Sequence, residues 1–148
     1  VRGSKYLMTP GKGREVTIKA GATLPDGQSI NTNTKFRIKD IPRPTGTVRG
    51  QSGDIKIPKN NISIATIGAI LDDFDFDIKL RTVSFKFKVP GQATISVNGN
   101  KLDNKAKTAL RRAKVGSNVQ IFDIKVQNPS NPSYRFKKVS PVICELVN

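Results

Sequence analysis

The stretch from Ile67 to Val89, IGAILDDFDFDIKLRTVSFKFKV, decides how this chain is read. Phe74, Phe76, Ile78 and Leu80 take even positions, and Asp73, Asp75, Asp77 and Lys79 take odd ones. Alternation of this kind is the period of a half-buried strand, whose side chains point to opposite faces in turn. After Leu80 the parity flips, and Val83, Phe85, Phe87 and Val89 become the apolar set. A strand that keeps one face in the core absorbs such a flip only with an extra residue. The pattern therefore predicts one long strand with a β-bulge or sharp bend at Arg81-Thr82. Four of the seven phenylalanines lie in this run, so the core is expected around it.

Working outward, the flanking segments also read as strands and turns. Lys5 to Pro10 and Glu15 to Ala20 are expected strands, Leu24-Pro-Asp-Gly-Gln28 a turn, and Lys35 to Ile41 a returning strand with Phe36 and Ile38 inward. Ile41-Pro-Arg-Pro-Thr-Gly46 is the candidate domain boundary, because two prolines in three residues stiffen the chain and remove two backbone donors. Gly50-Gln-Ser-Gly53 between Arg49 and Lys56 imitates the phosphate clamp of KH domains. That clamp sits between helices, whereas these flanks read as strand, so a plain turn is the better reading. Asn61 to Thr66 alternates Ile62 and Ile64 and is expected to pair near the central run. Pro90-Gly91 ends that run, Ala93 to Val97 forms another strand, and Asn98-Gly99 is a tight-turn dipeptide.

One helix is expected. Asp103 is a good N-cap, Leu102, Ala106, Ala109, Leu110 and Ala113 form an apolar face, and Gly116 is placed to stop the helix. The opposite face carries Lys105, Lys107, Arg111, Arg112 and Lys114. Basic residues late in a helix complement its dipole, and they also offer a docking face. Asn118 to Val126 shows a second parity flip, from Val119/Ile121 to Ile124/Val126. Tyr134 to Val147 is expected as the closing strand, with Pro141 marking an edge position or a bulge.

The composition removes whole classes of chemistry. With one Cys and no His, zinc sites and intramolecular disulfides lack their ligands. Cys144 alternates with Val142 and Leu146 and reads as a small buried hydrophobe. Asp72, Asp73, Asp75 and Asp77 suggest hard-cation ligands, yet Asp73, Asp75 and Asp77 lie along one strand face and do not converge. A solvated acidic stripe, or pairing with Lys and Arg, fits better. Neither a catalytic motif nor a cofactor motif is present, and no apolar segment is long enough to span a bilayer. The net charge of +15 calls for anionic partners: nucleic acid, a lipid surface or an acidic protein. Against nucleic acid, aromatics are only 6% and Trp is absent. A basic nucleic-acid-binding β-domain is the alternative reading.

Four segments taken in order resemble the C-terminal periplasmic region of the GldM/PorM family of gliding-motility and type IX secretion proteins. They are Phe36 to Pro44 (FRIKDIPRP), Gly68 to Asp77 (GAILDDFDFD) running into Arg81 to Phe85, Gly116 to Lys125 (GSNVQIFDIK) after a short basic helix, and Val139 to Ile143 (VSPVI). The resemblance implies a mainly β fold with one short helix. Residues 1–41 would be the closing strands of a truncated immunoglobulin-like β-domain, and 42–148 a β-rich, sandwich-like C-terminal domain. It further implies a non-catalytic structural and interaction module, without cofactor, in a periplasmic protein anchored in the inner membrane. The implied partners are an outer-membrane-associated lipoprotein ring, an inner-membrane motor subunit reached through an N-terminal helix that is absent here, and a second copy of the full-length protein. Nucleic acid is not among them. The family carries no catalytic residue over to this chain. The candidate partner-binding residues are those of the basic helix, Lys105, Arg111, Arg112 and Lys114, with Arg43 and Arg49 at the Pro/Gly-rich junction.

Overall fold

The computed structural model describes residues 13–148, apart from 75 and 76. The expected strand from Lys5 to Pro10 therefore lies outside the described residues. The chain divides at Asp40–Ile41 into two compact units.

In the first unit, β1 (Glu15–Thr23) and β2 (Ser29–Arg37) form an antiparallel hairpin with Glu15 opposite Arg37 and Thr23 opposite Ser29. The turn is closed by Gly27 N–H donating to the Leu24 carbonyl at 2.9 Å, with Gly27 at φ 83°. β2 begins earlier than expected, and Phe36, expected inward, is 49% exposed. Among the described residues the two strands have no second layer to bury a side chain against.

The second unit is built on a five-stranded mixed sheet in the order β4-β9-β8-β6-β7, from β4 (Asp54–Pro58), β6 (Arg81–Lys88), β7 (Ile95–Asn98), β8 (Asn118–Gln127) and β9 (Val142–Val147). β3 (Thr45–Val48) and β5 (Ile67–Ile70) form a separate antiparallel pair. The helices are α1 (Lys59–Ser63) and α2 (Asn104–Arg112). The fold is mainly β, as expected, with two short helices where one was foreseen. Its core gathers Phe85 and Phe87 from β6, Val119 and Ile121 from β8, Val142, Cys144 and Leu146 from β9, and the inner face of α2. Burial pushes the Cys144 thiol up to about 12, so it is an inert core residue at neutral pH.

The central run departs from its reading in an instructive way. It is two strands, β5 and β6, and the described residues between them form no ladder. Phe74, Ile78 and Leu80 are half-buried while Asp73, Asp77 and Lys79 are exposed, so these residues alternate without strand pairing; Asp75 and Phe76 lie outside the described residues. The ladder is unbroken through Arg81 and Thr82, where the bulge is expected, and the irregularity lies just beyond them. Thr82 pairs with Val126, Ser84 with Lys125 and Lys86 with Phe122. β6 thus carries one extra residue at Val83, and β8 carries a compensating one at Asp123-Ile124. Val83, expected inside, is 43% exposed, while Thr82 is buried. The second parity flip, in β8, is this same distortion, with Asp123 at φ 49°. Asp tolerates the left-handed region better than most residues.

Asp123 also joins the two strands electrostatically. Its carboxylate sits 3.1 Å from Lys86 Nζ and 2.7 Å from Lys125 Nζ. Hydrogen bonds from Lys125 and then Lys86 lower its pKa below the ordinary Asp value. A carboxylate with a depressed folded pKa contributes stability above its unfolded pKa and loses it as pH falls through the folded one. Asp123→Asn keeps the side-chain shape and the tolerance of positive φ but removes the charge. The stability gap between the native chain and D123N, measured by urea denaturation, should be present at neutral pH and close as pH drops below about 4. A gap independent of pH would exclude the ion pairs as its source.

Three further expectations change. Asn61 to Thr66 was expected as a strand, but its first residues belong to α1, which buries Ile62 and leaves Ile64 70% exposed. The closing strand is only β9. Pro141 falls just before its first residue, so the strand sits inside the sheet, between β4 and β8, with no ladder donor missing. α2 ends at Arg112, with Gly116 at φ 82° in the turn beyond.

Candidate partner-binding site

α2 is organised by local chemistry. Asp103 Oδ1 accepts a hydrogen bond from Ala106 N–H at 2.8 Å, which satisfies one of the orphan donors of the first turn. Ala106, Ala109 and Leu110 are buried, as are Leu102 and Ala113 at its ends. The C-terminus is closed from a distance: Lys59 Nζ, at the start of α1, donates to the Ala113 carbonyl at 2.5 Å and to the Arg111 carbonyl at 3.5 Å. A cation here answers the negative end of the helix dipole, so the basic residues of α2 itself are left facing outward.

Lys105, Arg111, Arg112 and Lys114 are all exposed. None of them forms an ion pair among the described residues. Lys105, Thr108 and Arg112 follow at helical spacing and flank a cleft of about 640 Å³. Its opposite wall is Gln92, Ala93 and Ile95, from the turn after β6 and the start of β7. Gln92 Nε2 donates to the Ala109 carbonyl at 2.9 Å and ties the two walls together. Arg111 turns back along the helix, with a guanidinium nitrogen 3.4 Å from Thr108 Oγ1. Lys114 does not line the cleft.

Arg43 and Arg49 do not join this group. Arg43 Nε donates to the Lys138 carbonyl at 2.7 Å, which fixes the Pro-rich junction to the segment before β9. Arg49 sits in the turn after β3 at φ 54°, with its N–H on the Thr66 carbonyl at 2.9 Å. Gly50 and Gly53 complete that turn at positive φ, consistent with a plain turn. Asp72 accepts from the Thr45 hydroxyl and so fastens the chain after β5 to β3. Asp75, part of the acidic stripe, lies outside the described residues. Among the described residues no three acidic or thiol side chains converge as metal ligands. The opposite wall of the cleft carried little sequence signal. Gln92 and Ala93 look like loop residues, and only the fold sets them against α2.

With this geometry in place, comparison with known families is informative. A family model described as the GldM C-terminal domain matches residues 42–146. The chain belongs to the GldM C-terminal domain family. A search of curated proteins gives no match. Membership places the chain among gliding-motility and type IX secretion components, a family of structural secretion proteins. The match begins at the second residue of the second unit and covers the β5–β6 run, α2, β8 and all but the last residue of β9. No helix among the described residues is long and apolar enough to cross a membrane.

Proposed function

We propose that this chain is a non-catalytic docking and coupling module of a periplasm-spanning, inner-membrane-anchored protein. It connects an inner-membrane motor to an outer-membrane-associated lipoprotein ring, in a parent protein that dimerises. The observation that carries the docking role is the set of exposed cations on α2, without an ion-pair partner among the described residues, held on a helix fixed at both ends by Asp103 and Lys59. A surface of this kind steers and orients an acidic protein partner. It contributes nothing that would form or break a bond, and the reading requires no cofactor.

Replacing both Arg111 and Arg112 with Glu tests this directly. Both side chains are exposed, so the fold should survive, with a cost of about 0.3–1 kcal/mol per acid placed at the negative end of the helix. In a titration against the purified outer-membrane ring proteins, affinity should fall at least about tenfold, which is about 1.4 kcal/mol. Unchanged affinity removes α2 from the docking surface. A DNA titration at the same physiological salt serves as the control. Saturable DNA binding with a steep salt slope, and no ring binding, would favour the nucleic-acid reading instead.

A further inference from the structure

We infer that the cleft between α2 and β7 receives an extended acidic segment of a protein partner, added as a strand to the free edge of β7. The inference rests on the docking reading of α2 and specifies the partner's chemistry and mode of binding.

Two independent features point to this occupant. The first is the sheet edge. Among the described residues β7 is the last strand of the five-stranded sheet and pairs only with β6, Phe85 opposite Val97 and Phe87 opposite Ile95. Among the described residues, no backbone hydrogen bond reaches its outer side. Unpaired backbone groups on an edge are a template for another extended chain. The strand is held firmly for that purpose: Gly99 N–H donates to the Val83 carbonyl at 2.6 Å at one end, and the Gln92 amide anchors the other end to α2.

The second feature is charge. The helix wall of the cleft presents Lys105 and Arg112 without an acid to pair with among the described residues, while Ala93, Ile95 and Ala109 line the remainder together with the uncharged Gln92, Asn104 and Thr108. Lys105 and Arg112 are seven positions apart, about 10 Å along the helix axis. Side chains on one face of an extended strand recur every ~7 Å. Carboxylates at alternate positions of an added strand therefore come within reach of both cations, while the intervening side chains point to the opposite face of the sheet. An edge that supplies backbone hydrogen bonds and a helix that supplies charge divide affinity and specificity between them.

The test uses the whole chain and a short acetylated peptide of alternating Asp and Val. Binding followed by amide chemical shifts and hydrogen exchange should perturb residues 92–97 and the cleft side of α2 and should slow exchange in β7. The matching Lys/Val peptide should bind at least about tenfold more weakly, and so should the Asp/Val peptide to the K105E/R112E chain. N-methylating either alternate set of peptide amides leaves its charge intact. One of the two forms should lose at least about tenfold in affinity, because its ladder bonds to β7 are gone. Equal binding of both methylated forms, equal binding of the Lys/Val peptide, shifts confined to other surfaces, or no binding at millimolar peptide each overturns the inference. Ring binding that R111E/R112E abolishes but the acidic peptide does not compete would overturn strand addition and leave the docking proposal standing. Peptide binding without any ring binding would overturn the docking proposal instead.

Discussion

Gly46→Ala is expected to destabilise the chain by at least about 3 kcal/mol and to lower Tm by roughly 10 °C. Gly46 is buried in β3, and a Cβ placed there would lie 2.4 Å from the Ser140 carbonyl oxygen, 2.8 Å from Ile124 Cδ1 and 3.1 Å from Val142 Cγ2. The closest of these is backbone and has no freedom to rotate away. Ser140 is also held in place: its N–H donates to the Pro44 carbonyl at 3.0 Å, and its hydroxyl accepts from Gly46 N–H at 3.1 Å. Relief of the clash requires β3 to leave Ser140, which gives up bonds worth about 1 kcal/mol each in addition to the overpacking cost of about 1–3 kcal/mol. Gly68→Ala is the control. It lies on the adjacent strand β5, and its Cβ would meet only the Thr47 side-chain oxygen at 3.0 Å, which can rotate. Urea denaturation of the two variants should separate them clearly. A cost below about 1 kcal/mol for Gly46→Ala would mean that β3 is free to slide over β9.

The second large effect is Phe87→Ala, with an expected loss of about 3–5 kcal/mol. Phe87 is fully buried on β6, between Ile121 of β8 and Ile95 of β7 in the sheet register. Its removal leaves a cavity at the centre of a sheet whose neighbours are pinned by ladders on both sides and cannot collapse into it. Val83→Ala belongs beside it, since the two residues share one parity in the sequence. Val83 is 43% exposed at the bulge, so its truncation should change stability by no more than about 0.5 kcal/mol. Equal costs for the two substitutions would place Val83 in the core and remove the bulge.

Residues 81–89 and 118–126 show where a sequence is legible. The apolar parity breaks after Leu80 and after Ile121, and a register shift lies close to each break: at Val83, just past the unbroken Arg81-Thr82 ladder, and at Asp123-Ile124. That the two breaks face each other and cancel was not legible, because each strand carries only its own half of the pattern. α2 was readable almost completely. Its N-cap, its buried face and its basic face all depend on residues within a few positions of one another. Its end comes earlier than Gly116 suggests, because Ala113 is already extended, and the carbonyls freed there are met by Lys59, more than forty positions earlier. α1 was misread for a related reason: Ile62 and Ile64 alternate like a strand, and only tertiary contacts select the helix that buries the first and exposes the second. The candidate site followed the same division. Lys105, Arg111 and Arg112 were visible as charge on a helix, but the wall at Gln92, Ala93 and Ile95 that faces Lys105 and Arg112 was not, nor was the bond from Arg43 to the Lys138 carbonyl.

By itself the sequence determined the β-rich class, the strand-like segments of the core, the capped basic helix and the lack, within these residues, of histidine ligands and of a second cysteine for an intramolecular disulfide. These follow from composition and from periodicities that operate over one turn or one pleat. Only the tertiary structure decided the strand order, with β9 lying parallel to β4 and antiparallel to β8, and only it left the edge of β7 open beside α2. Such pairings join segments tens of residues apart. They are chosen by how the whole core closes, and no local pattern encodes that choice.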